Sequence, residues 1–167
     1  MPLTGRSMLI TSGPTQAPID AVRYIANTSS GELGARIADA ALEAGARVHL
    51  VHGPGSIMPA PHSRLSVSPV RTVDDLIAAL QAQLAGGSVG VVIHAMAVLD
   101  YVPEAAGPGK IPSGRDHIDL RLVPTPKVID RIRRWAPEAL LVGFKLVAGE
   151  SEEGLRQAAL TLLRRSG

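Results

Sequence analysis

Residues 9–34 constrain the fold of this chain more than any other stretch. A short apolar segment runs into the turn Ser12–Thr15, then a polar loop, then a glycine-punctuated helix start at Ser30–Gly34. Open α/β sheets expose backbone N–H groups in this way, at a strand end and at a helix N-terminus, where they can bind phosphate. The loop between the two turns carries three polar side chains suited to ligand contact, Asp20, Arg23 and Asn27. This combination indicates a nucleotide-using enzyme.

The composition favours a parallel α/β sheet. A chain of 167 residues suits one domain with a real core. It is 46% hydrophobic but only 2% aromatic, so the core must be built from Ala, Val, Leu and Ile. Such residues dominate parallel strands, because these are buried on both faces.

Several classes of partner and location are disfavoured. The net charge is +2, the basic residues are scattered, and few aromatics are available to stack bases, so no nucleic-acid partner is expected. The chain has no cysteine, which excludes disulfides and thiolate metal sites, and its five histidines show no metal-ligand spacing. There is no signal peptide and no apolar run near ~18 residues, so we expect a cytoplasmic protein without membrane contact.

Strands and helices alternate along the chain as in βαβ units. Apolar runs and helical spacing predict the order strand 7–11, helix 33–44, strand 47–52, strand 65–67, helix 73–84, strand 89–95, helix 127–135, strand 140–145 and helix 152–165. The predicted fold is a Rossmann-like, doubly wound, mainly parallel sheet with helices on both faces.

A small insertion interrupts this alternation. Residues 101–114 are rich in Pro and Gly and too long for a simple connection, which indicates a functional flap. Residues 118–123 alternate polar and apolar residues like a strand of a small ribbon. The flap and ribbon therefore cover about residues 101–123 of a single domain, 1–167.

The predicted site lies at the carboxyl ends of the first and fourth strands of the sheet. Ligands of open α/β sheets bind near the point where strand order reverses, and these two strands usually flank it. Their ends here are Ser12–Thr15 and His94–Tyr101. Polar residues after both strands should therefore converge on one crevice.

The glycines of Ser30–Gly34 have two readings, an anion site at a helix N-terminus or close packing of the helix on the sheet. They do not form a dinucleotide fingerprint, because ~18 residues separate them from the first strand. The second strand also ends in His52 and Gly53, without the acid that binds ribose.

Two charged residues are further candidates. Asp100 follows the fourth strand and could bind a ribose hydroxyl or a metal ion, or cap a turn. Lys110 lies on the flap, from which a lysine could close over a phosphate and neutralise charge that develops during transfer. An ordinary surface lysine is the alternative.

Four motifs occur in a fixed order: residues 10–34, Ala95–Tyr101, Lys110–Ser113 followed by Thr125–Lys127, and Val142–Leu146. Together they resemble the phosphopantothenate–cysteine ligase family (phosphopantothenoylcysteine synthetase) of coenzyme A biosynthesis, and they span most of the chain. The second and fourth motifs look like the monofunctional bacterial branch, which lacks the fused decarboxylase domain.

The resemblance implies a two-step ligation. CTP, the co-substrate, activates the carboxylate of 4′-phosphopantothenate as an acyl-nucleotide and releases pyrophosphate; the cysteine amine then displaces the nucleoside monophosphate. Mg²⁺ should offset the triphosphate charge. The scheme needs positioning and charge stabilisation, with no protein nucleophile. The resemblance also implies a homodimer.

The resemblance assigns roles to residues at matching positions. Asn27 contacts the acyl-nucleotide and the flap lysine Lys110 contacts the activating phosphate, and these two are the catalytic residues. The substrate-binding residues are Arg23, Ala95, Met96 and Ala97. The nucleotide-binding residues are Gly13, Ser30, Gly31, Gly34, Asp100, Lys110, Pro124, Thr125, Pro126, Lys127, Phe144 and Arg165. No resident metal site is implied.

The chain departs from the family pattern at several points. Pro14 replaces a glycine and removes a backbone donor, and Ala17 stands where relatives usually carry Glu. The family continues with a further strand and a dimer-forming segment, so its C-terminal part is expected to be missing here. Family lysines on the last helix are replaced by Thr161 and Arg165, and a planar guanidinium is not equivalent to an ammonium.

Two other functions remain open at this stage. One is an oxidoreductase that binds NAD(P) or flavin on the same sheet. The other is a non-catalytic nucleotide-binding module that acts as a partner subunit.

Overall fold

A computed structural model describes residues 2–146, 148–149 and 151–166 of the protein. The elements in chain order are β1 (Ser7–Ser12), β2 (Gln16–Pro18), β3 (Tyr24–Ala26), α1 (Glu32–Glu43), β4 (Arg47–His52), β5 (Leu65–Pro69), α2 (Val73–Leu84), β6 (Val91–His94), β7 (Tyr101–Pro103), β8 (Leu122–Pro124), α3 (Val128–Trp135), β9 (Leu140–Gly143) and α4 (Glu152–Ser166).

Five parallel strands form the central sheet, in the order β5-β4-β1-β6-β9. The chain leaves β1 towards β4 and β5, then returns across the sheet to β6 and β9. Strand order therefore reverses between β1 and β6, where Thr11 lies beside His94. This confirms the predicted Rossmann-like, doubly wound sheet and the predicted position of its switch point.

Alternate residues of the strands point to opposite faces, and each face has its own core. Met8, Ile10 and Leu50 pack beneath α1 on one face. Leu9 and Val92 pack beneath α2 and α3 on the other. Because both faces carry aliphatic side chains, the central strands β1 and β6 contain short continuous apolar runs. Helices on both faces are thus confirmed.

Local signals explain where the helices begin and end. α2 starts with a capping box, in which Asp75 N–H donates to Thr72 Oγ1 (3.1 Å) and Thr72 N–H donates to Asp75 Oδ2 (2.9 Å). α1 has no side-chain cap, and it ends at Gly45, whose φ of +96° continues the chain in a conformation that favours glycine.

Every predicted strand and helix is present, although several boundaries and the extent of the predicted ribbon strand were wrong. β4 and α2 have the predicted bounds, whereas β6 and β9 are shorter than predicted. The predicted ribbon strand 118–123 is only Leu122–Pro124, paired with β7, because Ile118 and Leu120 are exposed and find no partner strand. Sequence patterns also missed the antiparallel β2–β3 ribbon inside the first loop.

Two remaining predictions concern the extent of the chain and membranes. The end at Gly167 lies outside the described residues. Among residues that the structure describes, no helix has the length and apolar character needed to cross a bilayer.

Candidate functional site

A crevice of about 560 Å³ opens at the carboxyl edge of the sheet, where β6 and β9 end. Its floor is the segment 94–98 that follows β6. Thr28 and Ser29 from the first loop line one side, and residues 126–129 and 144–146 line the other. The crevice therefore lies at the end of β6, one of the two predicted strands, whereas the predicted segment Ser12–Thr15 after β1 does not line it.

A half-buried histidine forms part of the crevice floor. His94 Nδ1 lies 2.8 Å from Thr11 Oγ1, and the same hydroxyl accepts a hydrogen bond from Met96 N–H at 3.3 Å. Burial lowers the pKa of His94 to about 4, so the ring is neutral at pH 7. The histidine therefore supplies hydrogen-bonding capacity to the crevice without adding charge.

Two threonines hold the chain after β6 in place. Leu99 N–H donates to the fully buried Thr15 Oγ1 at 3.0 Å, and Thr125 Oγ1 donates to Leu99 O at 2.5 Å. Thr125 N–H also donates to Asp100 O at 2.9 Å. Both main-chain groups of Leu99 are thus satisfied by side chains from distant parts of the sequence, which fixes the loop that presents Asp100.

Basic side chains surround the crevice. Lys127 Nζ lies 2.6 Å from Asp100 Oδ1, and Arg165 Nε lies 3.1 Å from Asp130 Oδ1. Lys145, also on the lining, has no ion pair among the described residues. Asp100 is the one carboxylate that lines the crevice within the described part of the chain, so its rim carries more positive than negative charge. Such a rim suits a polyanionic ligand.

The first-loop glycines have a packing role. A Cβ on Gly34 would lie 2.3 Å from Ser12 Oγ, and one on Gly31 would lie 2.9 Å from Ser56 Cβ. Gly13 and Gly31 also have φ values of +78° and +74°. The close approach of α1 to β1 therefore requires Gly34, and the backbone conformation at Gly13 and Gly31 favours glycine, whether or not the helix N-terminus also binds an anion.

The polar residues of the first loop contact two different segments. Asn27 Nδ2 donates to Val98 O at 3.1 Å, which ties the loop to the crevice floor. Asp20 instead accepts hydrogen bonds from Ile111 N–H at 3.0 Å and from the guanidinium of Arg23 at 2.5 Å. Burial raises the pKa of Asp20, but hydrogen bonds from Val22, Ile111 and Arg23 outweigh it and lower the pKa to about 2.

The structure brings together about half of the residues predicted for the site. Those on the crevice lining are Ala95, Met96, Ala97, Asp100, Pro126, Lys127, Phe144 and Arg165. The others surround it or lie farther away: Gly13, Arg23, Asn27, Ser30, Gly31, Gly34, Lys110, Pro124 and Thr125. Of these, Pro124 and Thr125 line a separate cavity of about 240 Å³ beside the start of α2.

Sequence reasoning gave no individual role to several lining residues, among them Thr28, Val128, Ile129 and Lys145. Position alone could have identified Lys145, because it stands at the end of a predicted strand. Thr28 carries no comparable signal, since its placement depends on the unpredicted β2–β3 ribbon.

Two departures from the family pattern are accommodated by packing. Pro14 forms a bridge with Ala97, and its carbonyl oxygen would lie 1.8 Å from a Cβ on Gly53. Ala17 is buried against the larger core, in a space that leaves it 4% exposed. The first turn thus retains its path beside β6 without the usual residues.

The donor set does not form a resident magnesium site. Among the described residues there is no group of three His, Asp or Glu side chains that could hold a metal ion, and Asp100 is already paired with Lys127. Mg²⁺ commonly binds through one or two carboxylates together with substrate phosphates.

A search of protein-family models provides the family. The model described as the DNA/pantothenate metabolism flavoprotein C-terminal domain (DFP) matches residues 3–166. The chain belongs to this family. The match covers nearly the whole length of the chain.

Known proteins similar to the DFP domain agree with this assignment. The coenzyme A biosynthesis bifunctional protein CoaBC of Thermococcus kodakarensis is 39% identical over 165 residues, which is 99% of this chain and 40% of that protein. The DFP domain thus spans about two fifths of the length of this curated relative.

Two solved structures share the fold. The DNA/pantothenate metabolism flavoprotein from Streptococcus pneumoniae has a TM-score of 0.89 at 32% identity, over 97% of this chain and 79% of that one. The C-terminal domain of a CoaBC protein has a TM-score of 0.79 at 31% identity, over 98% of this chain and 74% of that one.

Proposed function

We propose that this DFP domain is a ligase of coenzyme A biosynthesis that joins 4′-phosphopantothenate to cysteine through an acyl-cytidylate. The observation that carries the proposal is the basic crevice at the switch point, rimmed by Lys127, Lys145 and Arg165. Family membership and the similarity to CoaBC support the same pathway. The nucleotide, the substrates and the role of each residue belong to the proposal.

In the first step, a carboxylate oxygen of 4′-phosphopantothenate attacks the α-phosphorus of CTP. A new P–O bond forms, the bond between the α-phosphorus and the bridging oxygen breaks, and pyrophosphate leaves. Lys127, Lys145 and Arg165 offset the charge of the triphosphate, which arrives with Mg²⁺. Lys110 from the flap contacts the phosphate that undergoes attack.

In the second step, the cysteine amine attacks the acyl carbon, and the bond from that carbon to the CMP oxygen breaks. The amine loses a proton to solvent as the amide forms. Asn27 holds the acyl-nucleotide from the side of the first loop, and the segment 95–97 supports the pantothenate chain from below. No residue of the protein forms a covalent bond, so catalysis rests on positioning and electrostatics.

The test is a stepwise assay on the full gene product. With CTP, Mg²⁺ and 4′-phosphopantothenate, pyrophosphate should be released; cysteine should then convert the intermediate to product and CMP. Failure to release pyrophosphate contradicts the proposal. Replacement of CTP by ATP in parallel reactions determines the nucleotide preference.

Ligand binding separates the alternatives. Thermal stabilisation by CTP but not by NADPH is expected, because the end of β4 lacks the acid that binds a dinucleotide ribose. Stabilisation by NADPH alone would favour an oxidoreductase. Tight CTP binding without turnover would favour a non-catalytic module. Light scattering of the purified protein tests the proposed homodimer.

A further inference from the structure

Hydrogen bonds join residues 107–111 of the flap to the first loop. Gly107 N–H donates to Ile19 O at 3.1 Å, and Ala21 N–H donates to Gly109 O at 3.4 Å. Two residues further along the flap, Ile111 N–H donates to Asp20 Oδ2 at 3.0 Å, while Ile111 O accepts a hydrogen bond from Arg23 Nη1 at 3.3 Å. The first loop therefore holds the main chain on both sides of Lys110.

Asp20 is the centre of this attachment. Its side chain is fully buried, and its two oxygens accept four hydrogen bonds, from the N–H groups of Val22, Arg23 and Ile111 and from the guanidinium of Arg23. One carboxylate thus closes the turn between β2 and β3 and also holds the flap. A neutral side chain of the same size cannot replace it fully, because an amide nitrogen would face at least one of these donors.

Lys110 differs from its neighbours in this arrangement. Its side chain is exposed, while Gly109 and Ile111 on either side are hydrogen-bonded to the first loop. The main chain of Lys110 is therefore restrained, and its ammonium remains free to reach a ligand. The same first loop reaches the crevice floor through Asn27 and Val98. Loop, flap and floor are thus connected by residues 20–27.

We propose that Asp20 is a positioning residue for Lys110, acting through Ile111 and with Arg23 as its partner. This inference rests on the proposed ligase function, in which Lys110 contacts the activating phosphate. Arg23 then serves the flap through Nη1, in addition to any contact that its other nitrogens make with substrate.

The first test concerns the anchor alone and needs no activity. In Asp20→Asn, trypsin cleavage after Lys110 should accelerate about tenfold or more, because an unsatisfied buried group favours local opening of the flap. Cleavage after Arg134, which lies outside the flap, serves as the internal reference. Asp116→Asn, an exposed flap substitution, is the matched control and should leave the Lys110 cleavage rate unchanged. Equal rates in Asp20→Asn and the wild type would overturn the anchor.

The second test is a double-mutant cycle on pyrophosphate release. Asp20→Asn should lower kcat about tenfold with little change in the KM for CTP, since the crevice itself is intact. Asp20→Asn combined with Lys110→Ala should be no slower than Lys110→Ala alone, because Asp20 acts through Lys110. Independent, multiplicative losses would overturn the positioning role and assign Asp20 a general structural one.

Failure of the ligase proposal can be told apart from failure of the role proposed for Asp20. Absence of pyrophosphate release from the wild type contradicts the ligase proposal and with it the positioning role, whereas the proteolysis comparison still decides whether Asp20 anchors the flap. Circular dichroism of Asp20→Asn shows whether that variant is folded. If it does not fold, Arg23→Lys replaces it in both tests, because it keeps the charge but loses the planar contact to Ile111.

Discussion

Lys127 Nζ, at the start of α3, lies 2.6 Å from Asp100 Oδ1, directly before β7. The side chains of this pair are 48% and 64% exposed, so the ion pair contributes little to stability. We expect the pair to matter for binding instead. Asp100 holds Lys127 at the rim of the crevice, where a phosphate group would replace the carboxylate as the partner of the ammonium.

Lys127→Met should therefore weaken nucleotide binding without affecting folding. We expect the KM for CTP to rise about tenfold or more, since a charge-assisted contact is lost, while the melting temperature stays close to that of the wild type. Arg47→Gln is the control, because it removes a cation at the start of β4, at the amino end of the strands and away from the crevice. A KM that changes equally in both variants would show that only overall charge matters.

Asn27→Asp should separate the two chemical steps. The substitution replaces the amide donor that contacts Val98 O with a carboxylate oxygen, and it adds negative charge beside the proposed acyl-nucleotide. We expect the cysteine step to be impaired more than activation. Pyrophosphate release and product formation, measured on the same enzyme sample, give the two rates. An equal loss in both would contradict the role assigned to Asn27.

Gly34→Ala should destabilise the fold by about 1–3 kcal/mol, because overpacking forces α1 away from β1. The added Cβ would meet Ser12 Oγ at 2.3 Å and Ser12 Cβ at 2.5 Å. Urea unfolding measures the change. Gly86→Ala is the control, since a Cβ there has nothing within 4 Å. Equal stability of the two variants would mean that α1 shifts at no cost.

His94 should make stability depend on pH. Its pKa is about 4 in the folded protein against 6.5 for an unperturbed histidine, so the unfolded chain binds more protons between these values. Stability is therefore lost as pH falls from 6.5 towards 4, by about 3 kcal/mol in total. Urea unfolding at about pH 7 and about pH 4.5 should show this loss in the wild type and less of it in His94→Gln.

The exposed His62 supplies the control for this experiment. His62→Gln removes a histidine that is exposed in the folded protein, so it should retain the wild-type dependence. A slope that is equally reduced in both histidine variants would show that burial of His94 is not its cause.

The sheet and its switch point were predictable because burial on both faces leaves short continuous apolar runs in the central strands β1 and β6. Asp100 was a candidate because it follows the fourth strand, whereas Phe144 was assigned to the site only through the family resemblance. Residues 16–26 were harder to predict. β2 and β3 are three residues each and gain their order from contacts with the rest of the chain, so no local periodicity marks them.

The roles of individual glycines and of Asp20 depended on distances that a sequence does not contain. Gly34 could contribute to an anion site or allow close packing of α1 on β1. Only the 2.3 Å distance from a Cβ at this position to Ser12 Oγ shows that the packing requires glycine. Asp20 lies in a motif that resembles a substrate site, yet one of its four hydrogen bonds comes from Ile111 N–H, 91 positions away. Long-range pairing of this kind leaves no trace in local spacing.

The hydrogen bonds that fix Leu99 and Asp100 have a consequence for the changes in chain length that such domains can tolerate. The chain leaves the crevice floor after Asp100 and comes back beside it at Thr125, and those two residues are joined by a main-chain hydrogen bond of 2.9 Å. The ribbon and flap between them therefore form a loop whose two ends are hydrogen-bonded to each other. Because closing a longer loop adds little entropic cost, insertions and deletions between these residues could accumulate without moving Lys127 or the crevice floor.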